Sequence, residues 1–126
     1  MRQNIQSGSP YEDVYGYCRA VRVGNTVHVA GTCAQPPHVD GCDAYEQAAN
    51  AISIIEAALE QAGASATDVV RTVTYVTDIA DMELVARAHQ ETFGDVRPAA
   101  TLVEVTRLID PGMKVEIEAY AVIDDR

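Results

Sequence analysis

Apolar and polar positions along this chain change period several times, and each change marks an element. Val21, Val23, Val27 and Val29 alternate with other residues on either side of Gly24-Asn25. Glycine reaches the positive φ a tight turn needs, so this pattern predicts strands near 16–23 and 26–31 joined as a hairpin. A stretch of turn formers from Gln35 to Gly41 follows, and the period then lengthens. Tyr45, Ala48, Ile52, Ile55, Leu59 and Ala62 recur at steps of three and four, which predicts a helix over about 44–62 with one apolar stripe. Asp43-x-x-Glu46 opens it as an N-cap pattern, and Gly63 fits the left-handed position that closes it. Val69–Val76, dense in β-branched residues, predicts a central strand. Asp78 and Asp81 then place negative charge at the start of a second helix carrying Leu84, Val85 and Ala88 and ending before Gly94. Runs at 97–105 and 114–119 predict two more strands, joined as a hairpin by Asp110-Pro111-Gly112. A short strand or arm precedes all of this.

The order of elements defines an α+β fold. With 126 residues, 48% of them apolar, the chain has enough for one core, so 1–126 is expected to be a single domain. Alternation along the last strand sends Val115, Ile117, Ala119 and Ala121 toward the helices, and Lys114, Glu116, Glu118 and Tyr120 to the other sheet face. The same rule groups Ala100, Leu102 and Glu104. Nineteen acidic residues against nine basic give a net charge of −10, which repels phosphate backbones and anionic membranes. Neither nucleic acid nor a membrane is expected as a partner, and with no signal-like or spanning apolar run a cytoplasmic location is expected. Cys18, Cys33 and Cys42 are odd in number and fit no disulfide framework, so reduced thiols are expected.

Arg97-Pro98-Ala99-Ala100-Thr101-Leu102-Val103-Glu104-Val105, returning through Asp110-Pro111-Gly112 into Lys114–Ala119, resembles the signature segment of the RidA/YjgF family, Pro-Ala-Arg-x-Cys-Val-Glu-Val. Here Ala100 stands for the arginine and Leu102 for the cysteine. Tyr17, the Gly24-Asn25 turn, Gly31, Ala62-Gly63, Asp68–Thr72 and Tyr75–Asp78 fall in family order, so the likeness spans nearly the whole chain. It implies a RidA-like (chorismate-mutase-like) domain, a mixed sheet with two helices on one face, trimerising through the sheet. It further implies hydrolysis of small imines or enamines in clefts between the subunits of a homotrimer. The cleft would hold Tyr17, the backbone at Gly31 and Glu116, without the arginine that anchors a substrate carboxylate. Activity on 2-imino acids is therefore expected to be weak or lost. Two alternatives stand beside this one: a non-catalytic trimer binding a small molecule or a partner, and an enzyme for a neutral, bulkier intermediate.

The residues themselves suggest roles. Glu116, on a face that a trimer buries, either orients water and accepts a proton or makes a structural hydrogen bond across the interface. Tyr17 and Arg19 share a strand face by parity. Arg19 either substitutes for the missing anchor or forms an interface salt bridge. Thr32 and Cys33, at the end of the second hairpin strand, are placed with Gly31 as substrate contacts, as are Ala100 and Leu102 in an enlarged, more apolar pocket. Cys33 lacks a visible base and reads as a packing or binding residue. His38-x-Asp40-x-Cys42 does not match zinc spacing and reads as a solvated loop, and His89 as a helix-surface residue. Neither a metal nor a cofactor is implied.

Overall fold

The computed structural model describes residues 1–124. Six strands form one mixed sheet: β1 (Arg2–Ile5), β2 (Ala20–Val23), β3 (Thr26–Thr32), β4 (Val69–Val76), β5 (Ala99–Glu104) and β6 (Val115–Val122). Three helices accompany them: α1 (Pro10–Tyr15), α2 (Ala44–Gln61) and α3 (Met82–Phe93). The spatial order is β1-β2-β3-β6-β4-β5. This is the expected α+β architecture, with α2 and α3 packed over one face of the sheet.

Local chemistry explains the elements that were predicted well. The side chain of Asp43 accepts the Glu46 amide at 2.9 Å and starts α2. Ala48, Ala51, Ile52, Ile55, Ala58 and Leu59 lie on its buried face, against Val27, Val29, Val115, Ile117 and Ala119 of the sheet. Gly63, at φ 84°, closes the helix, and Gly24, at φ 58°, makes the β2–β3 turn.

Two expectations need correcting. The last two strands are not a hairpin. β4 lies between them, pairing in parallel with β5 and antiparallel with β6. Residues 105–114 do contain a turn at Asp110–Met113, but they form a long connection that carries the chain past the end of β4. β6, apolar on its whole helix-facing side, gains a strand partner on each edge this way. The first hairpin strand is also shorter than its alternation suggested. Pro10–Tyr15 is a helical turn, Gly16 takes φ 86°, and β2 begins only at Ala20. Tyr17 and Arg19 thus sit in the linker leading into the sheet. Among the described residues, no helix is long and apolar enough to cross a membrane.

Candidate functional site

The linker after α1, the end of β3, the start of β6 and the 105–114 connection meet around a cavity of about 830 Å³. Its polar end is built from Tyr17, Arg19, Gly31, Thr32, Cys33 and Glu116, six of the eight residues singled out from sequence. Glu116 alternates outward from β6, whose neighbours Val115 and Ile117 are buried in the core. Its carboxylate reaches across to β3, where a Cβ on Gly31 would stand 2.0 Å from Oε2. Only a glycine leaves room for the carboxylate there.

Burial, and then repulsion from Glu118, raise the Glu116 pKa above its usual 4.5, while Arg19 and a hydrogen bond from Cys33 oppose the rise. Such a carboxyl can take and return a proton nearer neutrality than an exposed one. Burial first, and then the charge of Glu116, push the Cys33 thiol up to about 12. Cys33 is thereby held in its thiol form, as a hydrogen-bond donor to Glu116.

Arg19 is 5% exposed. Its Nη1 donates to the Gly31 carbonyl at 2.8 Å and to Thr32 Oγ1 at 3.0 Å, and Nη2 donates to the Tyr17 hydroxyl at 2.8 Å. Its Nε faces Glu12 Oε2 at 3.6 Å without a hydrogen bond. Three of the five guanidinium N–H groups are thus engaged; of the other two, the one on Nε is buried facing Glu12 and only the one on Nη2 is left for a ligand, too few for a two-pronged grip on a carboxylate. Within its own chain Arg19 ties Tyr17 to the end of β3. Because the Tyr17 oxygen accepts from Arg19, its own hydrogen is free to donate into the cavity.

Glu12, missed from sequence, completes this frame. It is 3% exposed and accepts the Ser7 amide at 3.1 Å and the Ser7 hydroxyl, so α1 is clasped to the chain ahead of it. Gln47 was missed too. Fully buried on α2, it accepts the Lys114 amide at 2.8 Å and donates to the carbonyls of Gly112 and Val39, fixing the connection that carries Ile109 and Met113. Neither residue breaks a local pattern. The partners of Gln47 lie as far as 67 residues away, and those of Glu12 fall in an irregular segment, so neither leaves a periodic trace.

Ala100 and Leu102 do not join this pocket. The β4–β5 register sets them beside Thr72 and Thr74, on the helix-facing side, whereas Glu116 lies beside Tyr75 on the other. β5 is also two strands from β6, about 10 Å at ordinary strand spacing. Leu102 packs against the core. His89 is not a simple surface residue either, since its Nε2 lies 2.8 Å from Thr72 Oγ1 under α3 and burial lowers its pKa. In the 38–42 loop, His38 Nδ1 and Cys42 Sγ both turn to Glu46 Oε2, at 3.2 and 3.1 Å, fastening the loop to α2.

The open sheet face continues beyond Glu116. The two oxygens of Glu118 each accept a phenol, Tyr75 at 3.0 Å and Tyr120, and His28 stacks edge-on against Tyr120. The hydrogen bond to Glu118, and then burial, push the Tyr120 pKa up to about 12.

The family model described as Endoribonuclease L-PSP matches residues 9–123. The solved structure of Rv2704 from Mycobacterium tuberculosis, a member of the YjgF/YER057c/UK114 family, superposes with a TM-score of 0.92 at 48% identity, covering 98% of this chain and all of that one. The chain belongs to the RidA/YjgF family. An uncharacterised protein of Streptomyces coelicolor is 39% identical over 123 residues, 94% of this chain and 91% of its own. The Escherichia coli 2-iminobutanoate/2-iminopropanoate deaminase is 32% identical over 111 residues, 84% of this chain and 86% of its own. RidA/YjgF membership thus includes imine deaminases alongside proteins of other or unassigned description.

Proposed function

We propose that this RidA/YjgF protein hydrolyses the C=N bond of an imine, or of an enamine after its tautomerisation, at the polar end of the cavity. The observation that carries this reading is the half-buried Glu116 carboxylate, given room at the cavity by Gly31 and hydrogen-bonded by the Cys33 thiol. Water adds to the carbon of the C=N group, protonated from solvent, as Glu116 accepts one proton of the water and the π pair moves onto nitrogen. Glu116 returns that proton to the nitrogen of the carbinolamine, the C–N bond breaks with its electron pair leaving on ammonia, and the hydroxyl releases its proton to solvent as the carbonyl forms, which restores the carboxylate. Tyr17 is placed to donate a hydrogen bond to the heteroatom that gains electron density. Hydration and elimination change no oxidation state, so no redox group enters. RNA fits this site poorly: Glu116 is the one charged acid in its lining, Arg19 is already engaged, and the chain carries −10 overall.

The test is ammonia release from imines generated in place by a flavin amine oxidase and, in parallel, by an amino-acid oxidase. Wild type is expected to accelerate release over the uncatalysed blank, and Glu116→Gln to lose ~10²- to 10⁴-fold of that acceleration. Because the Glu116 pKa is raised and the step needs the carboxylate, kcat/KM should climb with pH along a limb lying above 4.5. Equal rates in the two proteins would leave the non-catalytic binding reading in place.

A homotrimer belongs to the same proposal. The open face carries Tyr75, Glu118, Tyr120, Val73 and Val103, which a lone chain leaves half-covered or exposed, and a sheet face of this kind is ordinarily packed against something. Sedimentation equilibrium at micromolar concentration should give three times the 13.6 kDa chain mass; a monomer would remove the intersubunit cleft.

A further inference from the structure

Beyond its polar end the cavity changes character. Tyr11, Val14 and Tyr15 of α1 line one side, and Ile54, Ile109 and Met113 line the rest. At about 830 Å³ the space far exceeds what a three- or four-carbon substrate fills, and lies within the range of sites for larger ligands. Arg19 is the sole cation in the lining; three of its five N–H groups go to Gly31, Thr32 and Tyr17, and its Nε is buried facing Glu12. Glu116 supplies the opposite charge, with Glu118 near enough to act on it. Tyr15 meets Tyr17 edge-to-face at 5.9 Å, so an aromatic path runs from the mouth to the polar end. Val14 and Tyr15 are 83% and 85% exposed, which spends apolar surface on solvent unless something covers it.

We infer that the substrate of this site, on the imine-hydrolysis reading above, is an imine or enamine without a carboxylate, bearing a bulky apolar and preferably aromatic body that lies against Tyr11, Val14 and Tyr15. A carboxylate beside the C=N group meets Glu116 and finds no two-pronged donor. A neutral or protonated C=N group meets a carboxylate and a phenol. The apolar body then displaces water from α1 and the 105–114 connection, and an aromatic ring gains an edge-to-face partner in Tyr15. Specificity is thereby assigned to α1, an element that contributes little to the core.

Three unreactive probes sharing one body test this by calorimetry: 3-phenylpropanamide, 3-phenylpropionamidine and 3-phenylpropionate, with acetamide as the small control. The amidine and the amide should bind at least ~10-fold more tightly than the carboxylate, and the amide at least ~10-fold more tightly than acetamide. Val14→Asp, at an exposed position, should weaken the amide by a similar factor with the melting temperature unchanged. Tightest binding by 3-phenylpropionate, or equal binding of acetamide and 3-phenylpropanamide, overturns the inference, whether or not Glu116-dependent ammonia release is found. Dissociation of the assembly by Val14→Asp, with amide affinity unchanged in the dissociated protein, overturns it as well and makes α1 a subunit contact. If the probes rank as expected but no imine is hydrolysed, the ligand class stands and the catalytic reading falls.

Discussion

Gly31→Ala is expected to remove nearly all Glu116-dependent turnover while leaving the fold intact. The added methyl would stand 2.0 Å from Glu116 Oε2 and 3.0 Å from its carboxyl carbon. The obstructing atoms belong to the free end of a flexible side chain, so the carboxylate swings aside and the backbone need not. What is lost is position: the carboxylate leaves both Cys33 and the place where water meets the C=N carbon. A misplaced general base forfeits most of a contribution of ~10²- to 10⁴-fold, so kcat/KM should fall at least ~100-fold. Steady-state rates on an amine-oxidase-derived imine, alongside far-UV circular dichroism and a melting curve, separate loss of site from loss of fold. An alanine variant with wild-type rates would show that Glu116 acts from some other position or does not act.

Arg19→Met is expected to be the most destabilising change in the pocket. It leaves the buried Glu12 carboxylate without the cation at 3.6 Å and strips donors from the Gly31 carbonyl, Thr32 and Tyr17. Removing one member of a buried pair costs about 3–5 kcal/mol, which for a chain of this size lowers the melting temperature by roughly 10–20 °C. The double variant Glu12→Met with Arg19→Met should regain part of the loss, since it buries no uncompensated charge. Urea unfolding of the two variants measures both effects. A single variant as stable as wild type would mean the pair is solvated and does not hold α1.

Much of the frame was readable from sequence because local periodicity encoded it. The stripe from Ala48 to Leu59, the Asp43 cap, the Gly24-Asn25 turn and the parity that turns Glu116 away from the core all depend on neighbours within a few residues. The errors arose where distant residues decide. The β5–β6 hairpin looked plausible from one turn signal, yet β6 is claimed by β3 and β4, whose pairing no short window contains. α1 is six residues long and has no apolar period to announce it. The contacts of Arg19 within its own chain were not legible because its acceptors, Gly31 and Thr32, are 12 and 13 residues away. Gln47 acts on Lys114, 67 residues on. The deaminase signature was legible for the family, but its two altered positions, Ala100 and Leu102, lie on the far sheet face and were uninformative about the pocket that their own chain builds.

The clasp between Ser7 and Glu12 holds α1 in place while Val14 and Tyr15 stand exposed outside the core, so mutations at these two positions escape the usual penalty of core changes. Selection can therefore alter what the pocket accepts without first accumulating compensating stability. In descendants of this gene, ligand preference is expected to drift through α1 at a pace set by demand for the product, while Gly31, Glu12 and Gln47 change only with loss of the site or of the fold around it.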